Sequence, residues 1–137
     1  MSLAVIAVIG LPSSGKTTHA KDYVEYWQVP FFDDVSVGKG PSDFMEFLTD
    51  PPQETVMVTD VALCKQATRD DFEYCVKSLH PLATIKYICF ENDPKQCLIN
   101  AKNRNDGREV ENTIRSMAKV YTYPEGAEII PVWKLNG

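Results

Sequence analysis

The sequence predicts an α/β fold in three layers, with a mostly parallel sheet of about five strands and helices on both faces. Three observations carry this prediction. Short apolar runs recur along the chain, with amphipathic segments of helical period between most of them. The first run leads straight into a glycine-rich turn and then a helix, as buried parallel strands do when their connections cross over the sheet. The length, 137 residues, suits one compact domain over 1–137 and leaves no room for a second catalytic domain.

The elements follow in order. Leu3–Ile9 is the first strand. The turn Gly10-Leu11-Pro12-Ser13-Ser14-Gly15-Lys16-Thr17 comes next, and the helix after it places Ala20, Tyr23, Val24 and Trp27 on one face. Val29–Phe32 is a shorter second strand. Pro41-Ser42-Asp43 opens a short helix ending near Leu48, before the breaker Pro51-Pro52, and Thr55–Thr59 is the third strand. Lys65–Leu79 is helical, with Phe72, Cys75, Val76 and Leu79 at i, i+3, i+4 and i+7. Thr84–Phe90 is the fourth strand. Asp93 caps a helix with Pro94 at its first position, running to about Lys102. Glu109–Val120 is the last helix, with Val110, Ile114, Met117, Ala118 and Tyr121 inward. The final strand, Glu128–Val132, contains Pro131 and belongs at a sheet edge, because proline cannot donate to a ladder.

Composition narrows the function. Hydrophobic and charged fractions of 44% and 24% are ordinary for a globular protein, and no apolar run approaches the ~20 residues of a membrane span. A net charge of −5 argues against a protein that coats nucleic acid. The cysteines, Cys64, Cys75, Cys89 and Cys97, form no Cys-x-x-Cys pair and read as buried thiols of a reducing, cytoplasmic compartment. His19 and His80 lack the neighbours a metal site or nucleophile pair needs. Between Lys102 and Lys119, five basic residues (Lys102, Arg104, Arg108, Arg115, Lys119) face three acidic ones, and three of the four arginines lie there. This segment reads as a phosphate clamp rather than a solvated helix pair. Its loop-like part, Asn103 to Gly107, makes a short lid at about 103–109.

The turn from Gly10 to Thr17 fits Gly-x-x-x-x-Gly-Lys-[Ser/Thr], the pattern of a nucleoside triphosphate site. Triphosphate oxygens need many donors at once, and backbone N–H groups crowd that closely only where glycine removes the side chain. Gly10, Pro12, Ser13, Ser14, Gly15, Lys16, Thr17 and Thr18 are therefore the candidate ATP-binding residues. Lys16 reaches the β- and γ-phosphates, the Thr17 hydroxyl is a Mg²⁺ ligand, and the helix start points its positive dipole end at the ligand. Mg²⁺ borrows few protein ligands, so one or two carboxylates at strand ends complete the site. Asp60 ends Val56-Met57-Val58-Thr59-Asp60, and Asp33-Asp34 ends the second strand. One could orient the metal or its waters while the other accepts a proton from an attacking hydroxyl.

These features together resemble the P-loop kinases, and within them the kinase domain of bacteriophage-type polynucleotide kinases. The resemblance rests on Gly10 to Thr18, Phe32-Asp33-Asp34, Val58 to Leu63, and the run Arg104-Asn105…Gly107-Arg108-Glu109-Val110…Ile114-Arg115-Ser116-Met117…Tyr121. It implies a P-loop NTPase fold and transfer of the ATP γ-phosphate to a hydroxyl. By the same resemblance Asp33 is the general base, Asp60 positions the acceptor, and Arg104 or Arg108 holds the donor phosphates. The acceptor implied is a polynucleotide 5′ end or a nucleotide-like hydroxyl. The chain departs from that family where an arginine should grip the acceptor phosphate: none occurs from Val24 to Ala67, and Lys39 is the nearby cation. A nucleotide-binding module or degenerate kinase is the alternative this gap supports. A GTPase would need an Asn-Lys-x-Asp motif, and Phe90 to Lys95 has the wrong order.

Overall fold

The computed structural model describes residues 2–33, 35, 43–104 and 109–134. Five strands form one sheet: β1 (Ala4–Ile9), β2 (Phe31–Asp33), β3 (Thr55–Thr59), β4 (Thr84–Phe90) and β5 (Glu128–Ile130). Their order is β2-β3-β1-β4-β5, and every pairing is parallel. The helices are α1 (Lys16–Trp27), α2 (Asp43–Thr49), α3 (Gln66–Leu79), α4 (Pro94–Arg104) and α5 (Glu111–Ala118), with a 3₁₀ turn at Val61–Cys64. The expected three-layer α/β fold is thus present.

Topology follows from the strand order. The connection β1–α1–β2 runs one way across the sheet and β3–α3–β4 the other, so right-handed crossovers put α1 and α3 on opposite faces. The central strands read as continuous apolar runs because both faces are covered. Val5, Ala7, Val8, Ile9, Val56, Met57 and Val58 are fully enclosed.

Several boundaries and faces differ from expectation. β2 starts at Phe31 and reaches Asp33, β5 stops at Ile130 before Pro131, and β5 is the edge strand that proline demands. α4 continues to Arg104, so the first two residues of the expected lid are helical. α5 begins at Glu111 and ends at Ala118, inside the expected span. On α1, Ala20 is buried but Trp27 is 60% exposed, because the three-residue β2 leaves the last turn little sheet to cover. On α3, the inward face is Arg69, Phe72 and Val76, while Leu79 is exposed. Arg69 is held there by the carbonyl oxygens of Leu63 and Cys64 and by the Thr122 hydroxyl. Asp93 does cap α4, its carboxylate accepting from Gln96 N at 3.1 Å. The expected helix start at Pro41-Ser42 and residues Asp34, Lys39 and Arg108 lie outside the described residues.

Candidate functional site

The loop after β1 takes a shape that only part of its sequence tolerates easily. Ser13 has φ 65° and Gly15 φ 103°, both left-handed, and Ser14 N donates to Leu11 O at 3.2 Å to close the turn. Glycine at 15 is required twice, since a Cβ there would also lie 2.7 Å from Trp133 Cγ. A Cβ at Gly10 would run into Ser14 Oγ and sit 3.2 Å from Phe90 Cβ. α1 then starts at Lys16 with no side-chain cap at Gly15. Its first-turn N–H groups, which no helix can satisfy internally, are left for a ligand.

A cavity of about 570 Å³ opens over this loop, within the size range of small-molecule sites. Pro12, Ser13, Gly15, Lys16, Thr17 and Thr18 form its floor. Strand order divides its walls. Asp33 comes from the end of β2 on one side of β1, and Lys21, one turn after Thr17 on α1, also lines the cavity. His19 of α1 meets Phe90 of β4 edge to face at 5.8 Å, and Lys21, about 200° further round the helix, faces away from β4 toward the Asp33 side. Asn100 and Arg104 of α4, and Trp133 beyond β5, form the other wall. Three cations, Lys16, Lys21 and Arg104, meet one carboxylate, Asp33, so the cavity is locally positive in a chain of net charge −5.

The loop is tied to the far wall. Asn100 is fully buried; its amide nitrogen donates to Ser13 O at 2.9 Å and to Trp133 O at 2.5 Å, and its Oδ1 accepts from Gln96 Nε2 at 2.9 Å. Trp133 N donates to Ser14 O at 3.1 Å. The Ser13 and Ser14 hydroxyl oxygens are enclosed and make no hydrogen bond among the described residues. An orphaned hydroxyl in a cavity-lining residue, beside uncapped amides and a lysine, fits the oxygens of a triphosphate. The donor set also fits Mg²⁺, which asks for a hydroxyl or carboxylate or two rather than a cage. Among the described residues there is no group of three or more His, Cys, Asp or Glu side chains suited to hold an ion.

The structure therefore brings Pro12, Ser13, Gly15, Lys16, Thr17, Thr18, Asp33 and Arg104 to one cavity. Asp60 stands apart from its lining. The register pairs Thr59 with Val8, so Asp60 comes level with Ile9 beside the loop, but it is buried and its Oδ1 accepts from Ala62 N at 2.9 Å. Of the basic segment, Arg104 reaches the cavity. Arg115 instead pairs with Glu111 at 3.0 Å on the α5 surface, and Lys102 lines a separate groove between α4 and α5. Sequence reasoning missed Lys21, Asn100 and Trp133. Lys21 was within reach of the i, i+4 rule from Thr17, whereas Asn100 and Trp133 arrive only by tertiary approach.

Two of the buried thiols, Cys64 and Cys97, lie within electrostatic reach of Lys16. Burial pushes Cys64 and Cys97 up to about 12 and Cys89 to about 11, with the Lys16 charge opposing the rise at Cys64 and Cys97.

Fold and loop together define a protein with the P-loop kinase fold. Among solved structures it resembles a gluconokinase from Sinorhizobium meliloti 1021, at TM-score 0.67 and 14% identity over 96% of this chain and 84% of that one. It also resembles a fungal RNA kinase (TM-score 0.55, 13% identity, 95% and 75% of the two chains). A shikimate kinase from Bacteroides thetaiotaomicron is similar as well (TM-score 0.51, 17% identity, 94% and 86%). No family model matches the chain. In sequence it is 31% identical over 110 residues to uncharacterized protein R277 of Acanthamoeba polyphaga mimivirus, covering 80% of this chain and 78% of that protein. The chain belongs to the family of that mimivirus protein.

Proposed function

We propose that this chain is an ATP-dependent kinase domain of the P-loop class, transferring the γ-phosphate to a hydroxyl of a polynucleotide 5′ end or a nucleotide. The observation that carries this reading is the two-walled cavity: Lys16 on its floor, Asp33 on one wall and Arg104 on the other. A carboxylate facing the phosphate side can take the proton of an attacking hydroxyl, which a transfer to a second substrate requires. The acceptor oxygen attacks the γ-phosphorus as the bond to the β–γ bridging oxygen breaks, ADP leaves, and the hydroxyl proton passes to Asp33. Loop amides, Ser13 and Lys16 hold the phosphates. Arg104, with Arg108 in a short lid at about 103–109, covers the transferring group, and Trp133 beside Arg104 offers a flat face to the base. Thr17, with Asp60 at the neighbouring strand end, would hold Mg²⁺, which would supply counter-charge to the phosphates.

The Asp33 strand end and the likeness to the fungal RNA kinase support a nucleic-acid acceptor. The reducing compartment read from the thiols supports a cytoplasmic enzyme, and no helix among the described residues is long and apolar enough to cross a membrane. The arginine-free stretch from Val24 to Ala67 favours a second reading, a nucleotide-binding module without efficient transfer. Incubation with γ-labelled ATP, Mg²⁺ and a panel of 5′-hydroxyl oligonucleotides, nucleotides and nucleosides separates the two. Label in an acceptor is expected; label only in free phosphate means a hydrolase, and ATP binding without release of label means the module.

A further inference from the structure

Lys21 is the one cavity cation that the donor nucleotide does not explain. Lys16 sits in the phosphate loop and Arg104 shares its wall with Trp133, the side suited to the ATP base and phosphates. Lys21 stands on the opposite side, with Asp33, about 6 Å further along α1 than Thr17. It makes no hydrogen bond or ion pair among the described residues, even though Asp22 and Glu25 lie on the same helix. An exposed lysine that lines the cavity away from the β4 wall and holds no ion pair among the described residues is open to an anion carried by the second substrate.

We infer that Lys21 forms an anion subsite for the acceptor, so that the accepted hydroxyl belongs to a molecule carrying its own phosphate within reach of this side chain, and neutral nucleosides are poor acceptors. Resting on the kinase reading above, the inference also assigns to α1 the acceptor contact whose arginine the segment between Val24 and Ala67 lacks. Lysine suits this role because it meets a phosphate as a point charge, with no fixed fork to align.

The test uses two probes with the donor side filled by ADP and Mg²⁺: a 5′-hydroxyl tetrathymidylate and its uncharged methylphosphonate analogue, each labelled at the 3′ end and followed by fluorescence anisotropy. The wild-type protein should bind the charged probe about fivefold more tightly, the scale of a solvent-exposed charge contact. Lys21→Ala should erase the difference, Lys21→Arg should keep it, and neither should change ADP affinity. Equal binding of the two probes by wild type, binding of neither, or a difference that survives Lys21→Ala would overturn the subsite. A loss of ADP affinity in Lys21→Ala would do so too, by placing the side chain on the donor. Competition by thymidine 3′-monophosphate but not thymidine identifies one phosphate as sufficient, whereas competition by the tetramer alone identifies a chain; both support the subsite. If the charged probe binds through Lys21 yet takes no label from γ-labelled ATP, the transfer reading fails and the anion subsite stands.

Discussion

Lys16 and Asp33 reach one cavity from different strands, and their roles separate on substitution. Lys16→Ala removes the cation facing the transferring phosphate and should lower turnover by on the order of 10³-fold. Asp33→Asn keeps shape and removes the proton acceptor, so transfer should fall while the ATP dissociation constant stays near wild type. A large rise in that constant would make Asp33 a metal ligand instead. The thiols give a residue-scale prediction of another kind. Cys64 and Cys97 at about 12 and Cys89 at about 11 stay protonated in the fold, against 9.0 for an exposed thiol. Above pH 9 the unfolded chain releases these protons while the folded protein keeps them until about pH 11 to 12, so stability is full below pH 9 and declines across that window. Urea midpoints measured from pH 8 to 10.5 should therefore drop, and an unchanged midpoint would contradict the burial. Iodoacetamide at pH 8 should label the half-buried Cys75 well before the other three.

At the scale of elements, periodicity found the helices but not always what they hold. Phe72 and Val76 fall where the helical period of α3 puts them, yet the third inward residue is Arg69 and not Leu79. An apolar-face count cannot see a buried guanidinium. Its NH1 donates to Leu63 O at 2.8 Å and Cys64 O at 3.0 Å, and its NH2 to Thr122 Oγ1 at 2.7 Å, all neutral oxygens. Arg69 thus joins α3 to the 3₁₀ turn that follows Asp60 and to the segment between α5 and β5. Arg69→Ala leaves these acceptors without donors and should destabilise by about 3 kcal/mol, lowering Tm by roughly 10 °C. Arg69→Lys should recover part of this, since an ammonium cannot span all three positions. A Tm within a degree or two of wild type in Arg69→Ala would show that water replaces the side chain without penalty.

Across the whole molecule, legibility in the sequence follows sequence distance. β1, the phosphate loop and α1 are contiguous, so local pattern alone located them, and the apolar runs of β3 and β4 announced the sheet. The far wall was not legible, because Asn100 contacts residues 87 and 33 positions away and nothing local marks an asparagine for that task. Yet this side chain joins three parts of the fold: α4, the phosphate loop and the segment after β5. Because Ser13 sits at φ 65°, where a non-glycine residue is disfavoured, its carbonyl needs a fixed partner to stay there. Asn100→Asp is nearly isosteric but cannot donate, so it would set a carboxylate against two carbonyl oxygens and next to the triphosphate. Stability should fall by about 2 to 4 kcal/mol and affinity for Mg²⁺-ATP by tenfold or more. Gln96→Ala is the matched control: it removes the donor to Asn100 Oδ1 while sparing both contacts to the loop and Trp133, so ATP affinity should hold. Calorimetric titration on samples whose circular dichroism confirms folding distinguishes the outcomes. Wild-type affinity in folded Asn100→Asp would mean the loop keeps its shape unaided, whereas loss in both variants would assign the effect to α4 as a whole.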